Sequence, residues 1–316
     1  MTAVAAARSS KAKGAGFDPA FRALCFASAT LLLSALAGLL ISLLIGGWPA
    51  FSTFGLGFFT STRWNPVTDI YGAAGPIVGT LVTSFLALLM SLPIAFGAAV
   101  FLAEFCPGAL RRPIGIAIEL LAGIPSIVYG MWGLFVFAPL FAKYIQLPAM
   151  MAAPVGSVWE QLTTGVPNGS GLLTASVILA IMILPYMAAT FRELFLGVPS
   201  KLRESAFGVG ATPLEVVWSV TLPYVRRSAV GAIMLGLGRA LGETMAVTFV
   251  IGNAHGLPGS IFDSGSTIAS TIANEFAEAS TPMHASALVA LGFVLFLITF
   301  AVLALARAFL GNQVKV

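Results

Sequence analysis

Residues 228–251 read SAVGAIMLGLGRALGETMAVTFVI, an apolar run that carries only two charges, Arg239 and Glu243. About 20 apolar residues are enough to cross the hydrocarbon core of a bilayer, and Arg239 falls near the middle of this run. A charge buried there costs on the order of 3 kcal/mol, so some interaction must offset it. One answer is a pathway for an anion. The other is Glu243, four residues on and so on the same helical face, which would neutralise the arginine within the membrane. Gly238 and Gly242, spaced as Gly-x-x-x-Gly, would let the helix approach a neighbour closely under either reading.

The rest of the chain has the same character. It is 58% hydrophobic and 9% charged over 316 residues, where soluble domains carry about 25% charged residues. It is therefore an integral membrane protein, and its net charge of +4 gives no reason to expect nucleic acid. Six apolar runs, 21–45, 75–101, 114–141, 172–196, 228–251 and 285–310, predict an all-α fold with six transmembrane helices. The first lacks a small-residue cleavage site and is read as a retained span. Pro93, Pro125, Pro139 and Pro185 interrupt the second to fourth runs, where kinks or breaks are expected. Cys25 and Cys106 do not read as an extracytoplasmic disulfide.

Lysine and arginine set the expected orientation. With the N-terminus inside, thirteen of the sixteen lie in inner segments, Arg63 and Lys143 lie outside, and Arg239 lies within the membrane. Both termini are then cytoplasmic. Residues 1–16 look disordered, and 17–316 form the membrane domain. The outer loops are 46–74, aromatic-rich with Trp48, Phe58, Phe59 and Trp64, and 143–171 and 255–284, rich in Pro, Gly, Ser and Thr. They read either as solvated connections or as a docking surface for an extracytoplasmic protein.

The inner segment 200–223 reads SKLRESAFGVGATPLEVVWSVTLP. Thr212-Pro213-Leu214-Glu215 has the form of a capping box with proline at the first helical position, and Gly208 and Gly210 punctuate the turn before it. The segment is thus two short amphipathic helices around a glycine turn. Glu204-Ser205-Ala206, three residues, Gly210, nine residues, Val220, one residue and Leu222-Pro223 resemble the EAA loop of ABC-importer permeases. Ser205 stands where that family usually has alanine, and Val220 where it has isoleucine. The resemblance implies that Glu204, Ser205, Ala206, Gly210, Ala211, Val220, Leu222 and Pro223 couple the chain to a separate ATP-hydrolysing subunit. The chain has no ATP site of its own: none of its five lysines is followed by Ser or Thr, so no P-loop exists.

Two further runs narrow the resemblance. Leu120-Leu121-Ala122-Gly123-Ile124-Pro125-Ser126-Ile127-Val128-Tyr129-Gly130 and Gly238 to Val247 are similar to the permeases of the phosphate-specific transport system, most of all its C-type subunit. The early segment from Trp64-Asn65-Pro66 to Thr80 fits as well. The family implies a type I ABC-importer permease fold in a bacterial inner membrane. It also implies a second, A-type permease, two ATPase subunits that bind the ATP and Mg, and a periplasmic phosphate-binding protein. No cofactor or metal is expected in this chain, and no catalysis.

The chemistry of the fifth run agrees with that cargo. Arginine is always charged and offers phosphate a planar fork of donors. Inorganic phosphate keeps at least one proton near neutral pH, and that hydroxyl can donate a hydrogen bond to Glu243, whereas sulfate would leave the carboxylate facing another anion. Glu119 in the third run either reaches toward the inner interface or pairs with an arginine elsewhere. Tyr129 either packs or donates to a passing anion. His255 and His284 stand at opposite ends of one outer loop without metal-ligand spacing. The resulting expectation is half of a phosphate pathway. The alternatives are the A-type permease, another oxyanion importer, an ion-coupled carrier or channel, and a membrane sensor; the EAA loop speaks against a carrier.

Overall fold

A computed structural model describes residues 18–311; the segment 1–16, expected to be disordered, lies outside them. Within lipid, backbone donors and acceptors must be paired inside their own segment, and the apolar runs accordingly form long helices. Among the described residues five helical stretches are long and apolar enough to cross a membrane: Pro19–Phe54, Ala74–Phe105, Ser126–Met151, Leu172–Leu196 and Pro282–Ala308. The elements that matter below are α1 (Asp18–Phe54), α2 (Ala74–Val100), α3 (Gly108–Ala122), α4 (Ser126–Trp132), α5 (Leu172–Leu196), α6 (Ser200–Gly208), α7 (Pro213–Val216), α8 (Leu222–Leu241), α9 (Met245–Val250), α10 (Ile268–Glu275) and α11 (Pro282–Gly311). Among the described residues the sheet is a single two-stranded hairpin, β1 (Trp64–Asn65) against β2 (Ile70–Tyr71), with Trp64 opposite Tyr71.

Helix α5 is the centre of the bundle: 67% of its apolar window is buried, against 0% for α1. It packs along α2, with α3 and α8 on its flanks, while α1 lies against α11. Small residues line the α2–α5 seam, among them Ala87, Ala95, Ala99, Ala175 and Ala188, and let the two backbones approach. Toward the end of α5 the filling becomes aromatic, with Phe96 edge-on to Phe191 and Phe195. That end of the bundle also carries Arg111, Arg112, Arg192, Arg203, Arg227 and Arg307, and is called the basic end here.

Two of the six apolar runs are broken, one at a proline where a break is expected and one at a place that reads from the sequence as a single helix. Run 114–141 is broken at Gly123–Pro125, so that α3 stands apart and the crossing stretch becomes Ser126–Met151. The cause is Pro125, which pushes Ile124 out of helical geometry. Run 228–251 is not one helix either: α8 stops at Leu241 and α9 begins at Met245. The other prolines differ in effect. Helices α2 and α5 continue through Pro93 and Pro185, and Pro139 follows a π-type turn over Gly133–Phe137.

The loop 255–284, expected to lie outside, is packed into the bundle over part of its length. Its residues Thr267, Ile268, Ser270 and Thr271 are buried, and Leu172 and Leu173 donate their N–H groups to the carbonyls of Asp263 and Ile261. The Gly, Ser and Thr of this loop serve close packing. A Cβ on Gly79 of α2 would lie 2.0 Å from the Ser266 carbonyl oxygen, and the Ile268 N–H donates to Thr80 Oγ1 at 2.9 Å.

Candidate functional site

The two helix breaks lie side by side. A Cβ on Gly130 of α4 would sit 3.0 Å from Ala246 Cα and 3.1 Å from the Met245 carbonyl oxygen, so α4 and α9 touch directly through that glycine. At the first break the Tyr129 hydroxyl donates to the Leu121 carbonyl at 2.9 Å, supplying a partner that the interrupted helix lacks. At the second, the Gly242 N–H returns to the Gly238 carbonyl. The Glu243 carboxylate then accepts the Ala246 N–H at 3.2 Å and so caps the start of α9.

Arg239 occupies the last turn of α8 and is exposed. No ion pair joins it to Glu243 or to any other carboxylate among the described residues. The expectation that Arg239 and Glu243 share one helical face is therefore corrected: the helix ends between them, and Glu243 turns to a backbone donor. Tyr129 and Glu243 thus stand at the two breaks, each hydrogen-bonded to backbone, with Arg239 in the last turn before the second.

The glycine pair reads differently from expectation as well. Within this chain a Cβ on Gly238 would meet only Leu303 Cδ1, at an ordinary 3.8 Å, and Gly242 is where α8 ends. Neither glycine seats a neighbouring helix of this chain closely. Glu119 has the arginine partner that the sequence left open: its Oε1 lies 3.0 Å from Arg192 Nη1, and Arg192 also reaches Glu193 at 3.1 Å. This group stands at the basic end of α5, away from Arg239.

Segment 200–223 forms the expected helix, turn and helix. Gly210 has φ +89°, its N–H returns to the Phe207 carbonyl, and the Ala211 N–H returns to that of Ala206. These two bonds are the Schellman closure of a helix, which needs a left-handed residue where only glycine is unstrained. The capping box is complete, with Thr212 and Glu215 each accepting the other's backbone N–H. Hydrogen bonds from the Thr212 backbone and hydroxyl hold the Glu215 carboxyl below its ordinary range. One detail differs: α7 runs through a π-type turn, Val217–Thr221, directly into α8, so Val220, Leu222 and Pro223 begin a long helix. Around the turn Leu202, Phe207, Val209 and Leu214 are exposed, Val209 at 86%. Glu204 and Ser205 are exposed beside them, and Ala206 and Ala211 are half-buried.

Sequence reasoning missed a cluster at the opposite end. Glu275 Oε1 lies 2.8 Å from His255 Nε2, and its Oε2 accepts from His284 Nε2 at 2.9 Å and from Trp64 Nε1 at 2.6 Å. Trp64 stacks on His255 and Tyr71 stacks on His284. Burial alone would raise the Glu275 carboxyl, but the bonds from His255, Trp64 and His284 outweigh it and hold the group below its ordinary range. Burial, with Asp69 beside it, pushes the Tyr71 phenol up to about 12. The only sequence signal was an acid in a loop without Lys or Arg, flanked by two distant histidines.

Residues 92–311 match the model of a family described as "Binding-protein-dependent transport system inner membrane component". The chain is 57% identical to the phosphate transport system permease protein PstC of Pasteurella multocida, over 86% of this chain and 85% of that one. It is 53% identical to the PstC of Mesorhizobium japonicum, over 92% and 89%, and 41% identical to PstC 1 of Mycobacterium tuberculosis, over 89% of each. A chain of a bacterial alginate ABC transporter, solved with an alginate-bound periplasmic protein, superposes with a TM-score of 0.60 at 17% identity, over 95% of this chain and 98% of that one.

Proposed function

This chain belongs to the family of binding-protein-dependent transport inner membrane components, on its PstC branch, and we propose that it forms half of the pathway of an ATP-driven phosphate importer. It is a multi-pass transport subunit and not an enzyme. In the proposed assembly it pairs with an A-type permease, two ATPase subunits that bind ATP and Mg, and a periplasmic phosphate-binding protein. The excess of Lys and Arg at the basic end supports placing that end, with both termini, in the cytoplasm of a bacterium.

The single observation that carries the cargo reading is Arg239: a permanent charge in the last turn of α8, beside the break, exposed and without a carboxylate partner among the described residues. Self-neutralisation does not account for it, since Glu243 caps α9. In an importer this guanidinium meets the passing phosphate, with the Tyr129 hydroxyl near by. Glu243, at the same break, accepts a hydrogen bond from the hydroxyl that phosphate carries and sulfate lacks. The site need not bind tightly, because a pathway must also release its cargo. Broken helices lining a mid-membrane site recur in transporters.

The exposed apolar residues around Gly210 support the coupling role of Glu204 to Pro223, since an apolar helical face without a partner in its own chain suits a groove on another. ATP binding and hydrolysis on that partner would move the loop, and with it α8, so that the site opens to each side in turn.

The test is labelled phosphate uptake by phosphate-starved cells lacking this chain, complemented with wild type, Arg239→Gln, Glu243→Gln or both. Uptake that is restored by wild type, blocked by arsenate but not by sulfate, and lost in Arg239→Gln at normal protein level is the expected result. Recovery of transport in the double variant would mean the two residues only balance one another.

A further inference from the structure

Helix α3 is joined to the rest of the chain by the same joint at both ends. Pro107 before it and Pro125 after it have ψ of 139° and 138°, so each is an extended step between two helical segments. A side-chain hydrogen bond spans each joint: Arg111 Nη2 donates to the Cys106 carbonyl at 3.4 Å, and the Tyr129 hydroxyl to the Leu121 carbonyl at 2.9 Å. Between the joints α3 is a rod about 22 Å long. Gly115, at the midpoint of Gly108–Ala122, is its only buried residue, while Leu110 and Leu120 toward the two ends are 53% and 70% exposed. That midpoint rests on Arg192 of α5. A Cβ on Gly115 would lie 2.8 Å from Arg192 Cζ, 2.9 Å from Nη2 and 3.0 Å from Nη1. Such nearly equal distances mean that the guanidinium turns its flat face to the glycine, while Nη1 bonds Glu119 one turn further along α3. We propose that Arg192 is a positioning residue for transport, the fulcrum on which α3 rocks as a lever between the coupling segment and the cargo site.

The two arms end where the proposed function needs motion, and the inference rests on that reading. Before the first joint Glu104 lies 3.3 Å from Arg203 of α6, in the segment proposed to meet the ATPase. After the second, Tyr129 and Gly130 stand against the start of α9, where the Ala246 N–H donates to Glu243. A displacement at one end of a stiff helix held at its middle appears at the other end with opposite sign, and the residues just outside the helix absorb the change of angle. The support is firm. Helix α5 has 67% of its apolar window buried, against 28% for the span before α3 and 17% for the span after it. The contact also suits a pivot, because a glycine on a flat guanidinium has no side chains to interdigitate, and interdigitation is what locks packed helices in one arrangement. A lysine at 192 could pair with Glu119 but would offer the glycine no plane.

The experiment uses the assembled transporter in nanodiscs on a Cys25→Ala/Cys106→Ala background. Spin labels are placed at Leu110→Cys with Leu196→Cys, or at Leu120→Cys with Ile181→Cys, all four positions being exposed. The first pair reads the gap between α3 and α5 at the basic end, and the second reads it toward the break. On trapping with ATP and vanadate, one distance should lengthen as the other shortens. In Gly115→Ala the new Cβ displaces the guanidinium, the far end of a flexible side chain, so the bundle should fold while the opposed shifts vanish. In liposomes the phosphate carried per ATP hydrolysed should then fall about tenfold, within the usual range of coupling between sites. Arg192→Lys should behave alike, and it decides the matter if Gly115→Ala does not assemble. Shifts of one sense in both pairs, or no shifts, overturn the lever, as do opposed shifts with full coupling that survive in either variant. Opposed shifts in a wild type that carries no phosphate would uphold the lever and count against the cargo reading.

Discussion

Arg203 Nη1 lies 3.3 Å from Glu104 Oε1, and the two side chains are only 16% and 8% exposed. The same guanidinium donates to the Phe195 carbonyl. One residue of α6 thus grips the π-type turn that ends the Ala74–Phe105 span and the last turn of α5 together, while α6 buries no residue of its own. If the segment 200–223 receives force from an ATPase, Arg203 is where that force enters the bundle. Removing either partner alone strands a buried charge, at a cost of about 3–5 kcal/mol, so Arg203→Gln and Glu104→Gln should each lower the melting temperature and Arg203→Gln/Glu104→Gln should restore it. The double variant, folded but without the grip, should leave the complex assembled and hydrolysing ATP while uptake falls at least about tenfold. Uptake and ATP hydrolysis declining in parallel in the double variant would refute the strut.

Glu275 predicts acid sensitivity at the end of the bundle opposite the basic one. Its carboxyl is held below the ordinary value of 4.5 by His255, Trp64 and His284. The stabilisation from such a group is fully present above about pH 4.5 and lost as pH falls through the lower, folded value. The melting temperature of the purified complex should therefore drop between about pH 5 and 3 more steeply in wild type than in Glu275→Gln. At pH 7 that substitution should cost about 2 kcal/mol, the range for hydrogen bonds to a charged group. Parallel pH curves for the two proteins would show that the cluster does not hold the outer segments together.

Gly210 should be irreplaceable for a reason its neighbour does not share. Its φ of +89° closes α6, and an L-residue there costs roughly 1–2 kcal/mol. Gly208 has an ordinary φ and open space around its Cβ direction. Gly210→Ala should weaken co-purification of the ATPase subunit without unfolding the bundle, because the loop is exposed, whereas Gly208→Ala should be neutral. Equal behaviour of the two variants would remove the turn from the account of coupling.

Much of this was legible in the sequence, and the misses share a cause. Hydropathy and length placed α1, α2, α5 and α11, and the capping residues Thr212 and Glu215 announced the start of α7, because these signals are local. The break at Gly123–Pro125 was expected from Pro125, but that proline could not be told apart from those that leave their helices whole, and the break at Gly242–Thr244 had no proline to announce it. A run of apolar residues looks the same whether its helix continues or stops, and Pro93 and Pro185 sit inside continuous helices while Pro125 ends one. Arg239 was recognisable as costly from composition alone. Its separation from Glu243 was not, since the i,i+4 rule presumes one helix. Pairings such as His255 and His284 on Glu275, or Arg203 on Glu104, join residues far apart in the chain, and a single sequence carries no mark of them.

The seat of the outer loop supplies the last prediction. At Gly79 the Ser266 carbonyl approaches so closely that any Cβ would lie 2.0 Å from its oxygen, and backbone atoms cannot swing aside as a flexible side chain can. Next to it Thr80 Oγ1 accepts the Ile268 N–H and fixes the start of α10. Gly79→Ala must therefore lift residues 264–268 off α2, and with them the loop whose two ends bring His255 and His284 onto Glu275. Gly97 on the same helix has open space, so Gly97→Ala should gain a few tenths of a kcal/mol or remain silent. Limited proteolysis of the complex in outside-out orientation reads the difference: cleavage within 255–267 should appear in Gly79→Ala and not in Gly97→Ala or wild type. An uncut Gly79→Ala protein with an unchanged melting temperature would mean that the loop is not held down by this contact.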